Sequence, residues 1–263
     1  MPADSPSVRL EQLPPIAEIV LNKPEKRNAL SVDMWAAIPP LVEAAVADPA
    51  VKVLIVHGGS AGTFAAGADI SEFATIYADD ESAKAAGAAT EAALYALENC
   101  AKPVLAAIDG ACVGGGVSLA MACDLRIASA NAKFGVTPSK LGLVYPTSHT
   151  RRLLDAVGPG ATKDILFTGR IFPADEAKAM HLIDRLVDAG DALQATRDLA
   201  QQIAANSQWS TLATKQMIRG LQNGWHDTHP DASALAREGF TNQDFQDGFR
   251  AFLEKRPPNF TFK

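Results

Sequence analysis

Three consecutive glycines, Gly114 to Gly116, stand inside an apolar run that reads DGACVGGGVSLAMACDLRIA over residues 109–128. Glycine loses more conformational freedom on folding than any other residue, so a buried glycine triplet is costly unless the backbone conformation or a close approach requires it. The flanking stretches KPVLAAIDG and DLRIASA are typical of buried strands, and the residues from Val117 to Ala122 are typical of a helix. The pattern therefore predicts a strand that passes through a glycine turn into a buried helix.

A second turn of small residues, TFAAGADI over residues 63–70, follows another buried strand, VKVLIVHGG. Small residues at the start of a helix leave unpaired backbone N–H groups open to a ligand oxygen. Two such turns that face each other would form an oxyanion hole, which stabilises negative charge on a carbonyl oxygen. Each turn alone is equally consistent with close packing. Neither is a nucleotide-phosphate loop, because the G-x-G-x-x-G and G-x-x-x-x-G-K-[ST] registers are both missing.

Strands and helices alternate at first along the chain, and helical patterns follow alone. This order predicts an α/β fold, with a core over residues 1–205 and a helical C-terminal segment over residues 206–263. We expect Ser31 to cap the first helix. We also expect Pro39 and Pro40 to kink or break that helix, because an interior proline costs about 3 kcal/mol.

Composition excludes several classes of function. The formal net charge is −6 over 263 residues and no long basic run occurs, which argues against a nucleic-acid partner or an anionic membrane surface. The N-terminal residues lack a signal-peptide pattern and no uncharged apolar segment reaches the roughly 20 residues that span a bilayer, so we expect a cytoplasmic protein. The cysteines and histidines lack metal-ligand spacing, so we predict no metal site.

Ser118, the first hydroxyl after the triplet, has two interpretations. The stretch GVSLA resembles a loose nucleophile elbow, in which Ser118 would attack a substrate with His149 or His181 as its base. Alternatively, Ser118 lies within the helix and its hydroxyl bonds to the carbonyl one turn back. Only the first interpretation predicts a Ser–His hydrolase.

Taken in order, five motifs resemble those of the crotonase (enoyl-CoA hydratase/isomerase) superfamily. They are LNKPEKRNALS, TFAAGADI, KPVLAAIDGACVGGGVSLAMACDLRIAS, AKFG and the tail DGFRAFLEKRPPNF, and together they span nearly the whole chain. The resemblance implies a crotonase-like spiral of ββα units with a helical C-terminal part that builds homotrimers, often paired into hexamers. It also implies an acyl-CoA thioester as substrate, with coenzyme A entering as part of the substrate and no cofactor bound permanently.

The resemblance assigns residues to this ligand. The N–H groups of Ala68 and Gly115 would bind the thioester oxygen. Asn28 and Ala29, with Ala66, would line the adenine side of the coenzyme A cleft.

Lysine side chains would bind the phosphates of the polyanionic coenzyme A. Lys255 of the EKR motif would reach one phosphate, either within its own subunit or across a subunit boundary. Lys26 belongs to a basic cluster with Lys23 and Arg27 in an otherwise acidic chain, and we assign it to the same ligand. A solvated charged loop would give the same pattern.

Two positions depart from the hydratases of this family, which carry two glutamates that hold and activate water. Ser118 occupies the first glutamate position, and Pro138 occupies the second in the segment FGVTPSKLG. Neither side chain can act as a carboxylate base, and each such group contributes roughly 10²–10⁴-fold in rate. We therefore expect hydration of crotonyl-CoA to be negligible or slow.

The segment TPSKLGLVYP resembles the corresponding run of the methylmalonyl-CoA decarboxylases of this superfamily, although those enzymes keep a glutamate where this chain has Ser118. Decarboxylation leaves an enolate that an oxyanion hole stabilises, and it needs few acid–base groups. Tyr145 would orient the departing carboxylate or deliver a proton, or it would simply pack at a turn beside Pro146. We predict decarboxylase or isomerase-type chemistry; the alternatives are a non-catalytic relative that only binds acyl-CoA, and the Ser–His hydrolase. The predicted catalytic residues are Ala68, Gly115, Ser118 and Tyr145.

Overall fold

The computed structural model describes residues 6–262, so residues 1–5 and 263, at the outer ends of the two predicted parts, lie outside the described residues. Within the described range the chain forms nine strands and ten α-helices. The strands are β1 (Val8–Leu13), β2 (Ile16–Leu21), β3 (Val53–His57), β4 (Val104–Ile108), β5 (Ala111–Val113), β6 (Leu125–Ser129), β7 (Lys133–Gly135), β8 (Ile171–Pro173) and β9 (Arg185–Val187). The helices are α1 (Val32–Ala47), α2 (Phe73–Ile76), α3 (Asp80–Glu98), α4 (Gly115–Met121), α5 (Thr147–Thr168), α6 (Ala174–Ala179), α7 (Ala192–Ala205), α8 (Gln208–Gln222), α9 (Pro230–Glu238) and α10 (Gln243–Glu254).

The main sheet contains six strands in the order β1-β2-β3-β4-β6-β9. Strands β1 and β2 form an antiparallel hairpin, and every later pair of neighbours in the sheet is parallel. Parallel neighbours need a crossover connection, and α1, α3 and α4 lie in the first three of these crossovers. The predicted α/β architecture is confirmed.

Both faces of the main sheet are buried. Leu54 and Val56 of β3 belong to the larger core, which includes side chains of α1 and α3, whereas Val53 and Ile55 pack with residues of α7 on the opposite face. Successive side chains of a strand point to opposite faces, so a strand buried on both sides reads as a continuous apolar run. This is why VKVLIVHGG was recognisable as a strand.

Helix α1 begins where the sequence predicts but does not end where it predicts. The Ser31 side chain accepts a hydrogen bond from the N–H of Met34 and caps the helix. Pro39 and Pro40 lie inside the helix, which continues past both of them, so the predicted break is wrong. The apolar face of α1, including Met34 and Ile38, is fully buried, and this burial offsets the hydrogen bonds that the prolines cannot make.

A smaller sheet carries the glycine triplet. Its three strands lie in the order β5-β7-β8, with β5 parallel to β7 and β7 antiparallel to β8. Strand β5 ends at Val113, and α4 begins at Gly115, two residues before the predicted helix start. The predicted succession of strand, glycine turn and buried helix is confirmed.

The C-terminal region is helical. Helix α5 changes direction at Gly158, whose φ of 73° and ψ of 171° lie outside the helical range. Helix α7 packs on the main sheet and ends at Ala205, and the division of the chain between residues 205 and 206 stays a prediction. Within residues 6–262, no helix combines the length and the apolar character needed to cross a membrane.

Candidate active site at the glycine turns

In chain order, the first glycine turn is the segment over residues 63–70 and the second is the triplet Gly114 to Gly116. The first glycine turn is held against the loop that follows β2. The N–H of Leu30 donates to the carbonyl of Gly67 over 2.8 Å, and the N–H of Asp69 donates to the carbonyl of Leu30 over 3.0 Å. Ala68, between these two fixed residues, is exposed, and its N–H has no acceptor among residues 6–262. The turn therefore leaves one backbone donor free at the surface.

Backbone geometry requires glycine in the second turn. Gly114 has a φ of 52° and a ψ of −109°, and its N–H donates to the carbonyl of Gly135 over 2.8 Å. A Cβ atom at Gly116 would lie 2.6 Å from the carbonyl oxygen of Ala65, so no larger residue fits there. A positive φ and a close approach between backbones are the two conditions under which glycine is needed.

The two turns bring the predicted oxyanion donors together. A Cβ atom on Gly115 would lie 3.8 Å from the backbone nitrogen of Ala68, so the two residues are neighbours. Gly115 is the first residue of α4, and its N–H has no acceptor within the described part of the chain. Two free N–H groups on adjacent turns are the arrangement that the sequence predicts for binding a carbonyl oxygen.

Beside these donors lies a buried cluster of two hydroxyl groups and an imidazole. Ser118 Oγ is 2.5 Å from Tyr145 Oη and 2.8 Å from His149 Nδ1. The Gly114 carbonyl accepts from Tyr145 Oη over 3.3 Å and from Ser118 Oγ over 3.4 Å. The bond from Ser118 to the carbonyl one turn back is the one that the sequence predicts, and the cluster joins two predicted catalytic residues directly.

Burial sets the ionisation of this cluster. Ser118, Tyr145 and His149 are 1%, 8% and 7% exposed. Burial raises the pKa of Tyr145, because the phenolate would be poorly solvated, and the hydrogen bond with Ser118 opposes this only in part. Burial lowers the pKa of His149, while the Glu91 carboxylate beside it opposes the change. Both groups are therefore neutral at neutral pH.

Glu91 of α3 is the carboxylate that contacts the cluster within residues 6–262. Its Oε1 lies 3.0 Å from His149 Nε2, and the same oxygen accepts a hydrogen bond from the Ser148 hydroxyl. The Nε2 atom is buried and is not aligned for a hydrogen bond with any described residue. The Glu91 side chain is 44% exposed and the guanidinium of Arg152 lies 4.0 Å away. Glu91 thus meets the imidazole on the side opposite Ser118.

The resemblance implies that Pro138 occupies the second glutamate position of the hydratases. It begins the 3-10 helix Pro138–Leu141 and is half-buried. Its ring supplies neither a base nor an N–H donor. The described site therefore holds hydroxyl groups and an imidazole in place of a pair of carboxylates.

Asn28 is a structural residue and does not line a cleft, which corrects the role that the resemblance implied for it. The residue is 0% exposed, and its side-chain amide donates to the carbonyls of Gly58, Thr63 and Phe64 at 2.9, 2.9 and 3.2 Å. Its Oδ1 accepts from the N–H of Lys23 over 2.8 Å. Every polar atom of the side chain is thus occupied by the protein, and none is left for a ligand.

Ala29 and Ala66 lie at the surface of the loops that Asn28 holds. Both are half-buried, and the N–H of Ala66 donates to the carbonyl of Arg27 over 3.1 Å, which joins the two loops. Their small side chains leave room for a flat ligand beside the first glycine turn, and their proposed contact with adenine stays a prediction.

Two lysines converge on one buried carboxylate next to the first turn. Lys23 Nζ and Lys26 Nζ lie 2.9 and 2.8 Å from Asp69 Oδ2. Hydrogen bonds from Lys26, Ser71 and Lys23 hold the pKa of Asp69 far below its usual range. The Lys26 side chain is 43% exposed, so a net positive charge faces solvent beside the turn. Asp69 also caps the 3-10 helix Ile70–Glu72 by accepting from the N–H of Ser71.

Lys255 lies apart from the other predicted site residues. It ends α10 in a left-handed conformation with a φ of 54° and is exposed. No contact joins it to the glycine turns in the part of the chain that the structure describes. The same described residues contain no group of three or more His, Cys, Asp or Glu side chains that could hold a metal ion.

Sequence reasoning missed Glu91 and gave His149 a role only in the hydrolase alternative. Glu91 sits on an alanine-rich helix far from the other members in sequence, and nothing in the local pattern distinguishes it from its neighbour Glu98. His149 lies in the first turn of α5, whereas Tyr145 lies two residues before that helix begins. Their closeness in sequence is the only local signal that could have linked them.

Known proteins share the fold and are similar in sequence over nearly the whole chain. A model of the enoyl-CoA hydratase/isomerase family matches residues 12–263. A crotonyl-CoA hydratase from Syntrophomonas wolfei is 36% identical over 98% of each chain. The crystal structure of an enoyl-CoA hydratase/isomerase family protein from Hyphomonas neptunium has a TM-score of 0.96 and 67% identity, and the match covers 98% of each chain. An enoyl-CoA hydratase/carnithine racemase from Magnetospirillum magneticum has a TM-score of 0.94 and 34% identity over 99% of this chain and 97% of the other.

These similarities extend over almost the full length of the chain and include both glycine turns. They confirm the crotonase-like fold that the ordered motifs predict. Together with the family match, they show that the chain belongs to the enoyl-CoA hydratase/isomerase (crotonase) family.

Proposed function

We propose that this protein acts on an acyl-CoA thioester by way of an enolate, and that it releases CO₂ from a malonyl-type ester or shifts a double bond rather than adding water. One observation carries the proposal: a buried pair of hydroxyl groups, Ser118 and Tyr145, lies 2.5 Å apart where hydration would need a carboxylate. The free N–H groups of Ala68 and Gly115 would hold the thioester oxygen as negative charge develops on it.

Hydration is a poor match to these groups. Addition of water needs a base that removes one proton from water and an acid that protonates the α-carbon. A serine and a proline occupy the two glutamate positions, and Glu91 reaches the site only from behind His149. The relatives that are named hydratases support the thioester substrate and the oxyanion hole, and the side chains at 118 and 138 argue against the same reaction here.

Decarboxylation needs less from the protein. The electron pair of the breaking carbon–carbon bond passes into the thioester, whose oxygen becomes the enolate oxyanion, and CO₂ departs. The α-carbon of the enolate then takes up one proton. The Tyr145 hydroxyl suits this step because burial keeps it protonated, and it lies next to the Gly114 carbonyl at the start of the turn that carries Gly115. Double-bond isomerisation would pass through a related enolate, which forms when an α-proton moves by way of Tyr145 and Ser118 to the neutral His149 and is completed when a proton returns to the γ-carbon.

The remaining parts of the proposal concern the coenzyme A portion and the assembly. Coenzyme A would bind as part of the substrate, without any permanently bound cofactor, along Ala29 and Ala66. Its phosphates would meet Lys26, whose ammonium group is partly exposed, and Lys255 from the same or a neighbouring subunit. Subunits would assemble as trimers or as pairs of trimers in the cytoplasm.

Thioester hydrolysis is the second candidate, since Ser118 Oγ lies 2.8 Å from His149 Nδ1. Ser118 is only 1% exposed and lies inside α4, with its hydroxyl also engaged by Tyr145 and the Gly114 carbonyl. A nucleophilic serine would be labelled by a fluorophosphonate, whereas the enolate mechanism predicts no labelling at Ser118.

The proposal is tested by mass spectrometry of an acyl-CoA panel, including malonyl-CoA, methylmalonyl-CoA and crotonyl-CoA, incubated in heavy water. We expect loss of CO₂ with one deuterium gained at the α-carbon, or exchange without hydration. Tyr145→Phe should lower kcat by about ten-fold or more, the effect of a lost general acid. Tyr95→Phe, which alters a tyrosine that is 64% exposed on α3, is the matched control.

Other outcomes are equally decisive. Rapid hydration of crotonyl-CoA without any CO₂ release would refute the proposal. Tight acyl-CoA binding without turnover of any panel member would identify a non-catalytic binding protein.

A further inference from the structure

The Tyr145 hydroxyl is linked to the opposite side of α4 by a continuous series of polar contacts. Tyr145 Oη lies 2.5 Å from Ser118 Oγ, and that oxygen lies 2.8 Å from His149 Nδ1. The other ring nitrogen, Nε2, lies 3.0 Å from Glu91 Oε1. The Ser118 hydroxyl can both accept and donate a proton, and the His149 imidazole can accept at one nitrogen while it donates from the other. The series can therefore pass protons in either direction.

The solvent exposure of the side chains increases along this series from Tyr145 to Glu91. Tyr145, Ser118 and His149 are each less than a tenth exposed, whereas the Glu91 side chain is 44% exposed. Glu91 and Ser148 line an open cavity of about 1270 Å³ between α4, α5 and α8. One end of the series thus meets the glycine turns, and the other end meets a water-accessible space.

The contact between His149 Nε2 and Glu91 is the one link of the series that does not meet strict hydrogen-bond geometry. Buried polar atoms in folded proteins nearly always have a hydrogen-bond partner. Here Nε2 is at contact distance from Glu91 but is not aligned for a hydrogen bond. A rotation of the partly exposed carboxylate would align it, so this link is one that can open and close.

We infer that Ser118, His149 and Glu91 form a proton relay that restores the proton of Tyr145 after each turnover, and that His149 and Glu91 act as positioning residues for this donor. The inference rests on the proposed function, because it takes Tyr145 as the donor to the enolate. The α-carbon takes the Tyr145 proton, and the phenolate takes the Ser118 proton. Ser118 takes a proton from His149 Nδ1, and Nε2 takes a proton that the Glu91 carboxylate has first accepted from water. The net change is one proton consumed from solvent for each CO₂ released.

Burial and the surrounding charges together keep the His149 imidazole neutral. The groups that face His149 are Glu91 from α3, Ser118 from α4, Tyr145 from the segment before α5, and Arg152 from α5. Burial and the nearby Arg152 guanidinium lower the pKa of His149, and Glu91 opposes them. A neutral imidazole can still relay by releasing the Nδ1 proton while Nε2 accepts another.

The test compares Glu91→Gln and His149→Gln with wild type in two reactions. The first is CO₂ release from malonyl-CoA, and the second is exchange of the α-hydrogens of propionyl-CoA with heavy water, which needs an enolate but no decarboxylation. Both variants should lower kcat by ten-fold or more in each reaction with KM changed less than two-fold. Glu98→Gln, on the same helix and paired with Arg152 outside the series, is the matched control and should keep wild-type rates.

A proton inventory separates a relay from a structural role. In mixtures of light and heavy water, the wild-type rate should depend on deuterium fraction along a curve, because several protons move together. The Glu91→Gln rate should depend on it linearly. A variant that lowers the rate only by loosening Tyr145 would keep the curve.

The two proposals fail in different ways. The relay would be overturned, and the enolate mechanism left intact, if Glu91→Gln and His149→Gln both kept the wild-type rates. A linear proton inventory for the wild-type protein would have the same meaning. Propionyl-CoA exchange that depends on Glu91, without CO₂ release from any malonyl-type ester, would support the relay and refute decarboxylation. Absence of both reactions in the wild-type protein would overturn both.

Discussion

Removing the side chain of Asn28 should destabilise the protein strongly, even though the residue touches none of the reacting groups. Asn28→Ala leaves the carbonyls of Gly58, Thr63 and Phe64 without their donor, and the Lys23 N–H without its acceptor. A buried polar group without a partner costs roughly 1–3 kcal/mol. The bonds to Thr63 and Phe64 are buried and the other two are partly exposed, which places the expected loss at about 3–5 kcal/mol.

The backbone adds a smaller contribution that a second variant isolates. Asn28 has a φ of 54°, a region where alanine costs about 1–2 kcal/mol and glycine costs nothing. Asn28→Gly should therefore be more stable than Asn28→Ala by about 1 kcal/mol and still far less stable than wild type. Asn223→Ala is the matched control, because its amide makes one exposed bond to the carbonyl of Arg219.

Urea unfolding at a fixed protein concentration gives these free energies from the transition midpoint and slope. An Asn28→Ala loss below about 1 kcal/mol, at an unchanged slope, would refute the reasoning that the Asn28 amide satisfies three carbonyls, two of them in buried hydrogen bonds. It would also reopen a ligand-binding role for that side chain.

Two further predictions concern packing and pH. Gly116→Ala would place a Cβ atom 2.6 Å from a backbone oxygen and should destabilise the protein by about 1–3 kcal/mol. Gly87→Ala, with open space around it inside α3, should stabilise the protein slightly. Thermal unfolding of the two variants measures this difference. Burial raises the pKa of Glu18, but hydrogen bonds from Arg197 and His57 outweigh it and lower that pKa to about 2. The folded-state pKa is depressed, so the stability that Glu18 contributes is present above about pH 5 and should fall by roughly 3 kcal/mol as the pH drops through 4.5 towards 2. Glu18→Gln should remove this part of the pH dependence in urea titrations, and parallel pH profiles for the two proteins would contradict the assignment.

Local patterns in the sequence were sufficient for the elements that carry the site. The Ser31 cap and the two glycine turns follow from short-range rules, and the structure places Gly114 and Gly116 where a positive φ and a close approach require them. The double proline in α1 was misjudged because propensity describes an isolated helix, whereas the buried face of α1 is stabilised by tertiary packing.

Long-range polar contacts could not be predicted. Glu91 and His149 come from different helices, and their meeting depends on how α3 and α5 pack around α4. The role of Asn28 was assigned by resemblance alone, and only the structure shows that its side-chain amide donates to three backbone carbonyls. Motifs thus predict where a thioester would bind, while the side chains that would set its reaction are found only in the three-dimensional structure.

The two glycine turns contribute main-chain atoms to the site, whereas Ser118, Tyr145 and His149 contribute side chains. Main-chain donors are retained through any substitution, other than one to proline, that leaves the turns folded, so the proposed binding of a thioester would withstand most point mutations. Reaction type is instead encoded at a few replaceable positions, most of them between Pro138 and His149. For enzyme engineering, that segment is the place to install a different acyl-CoA chemistry without rebuilding the scaffold that holds the substrate.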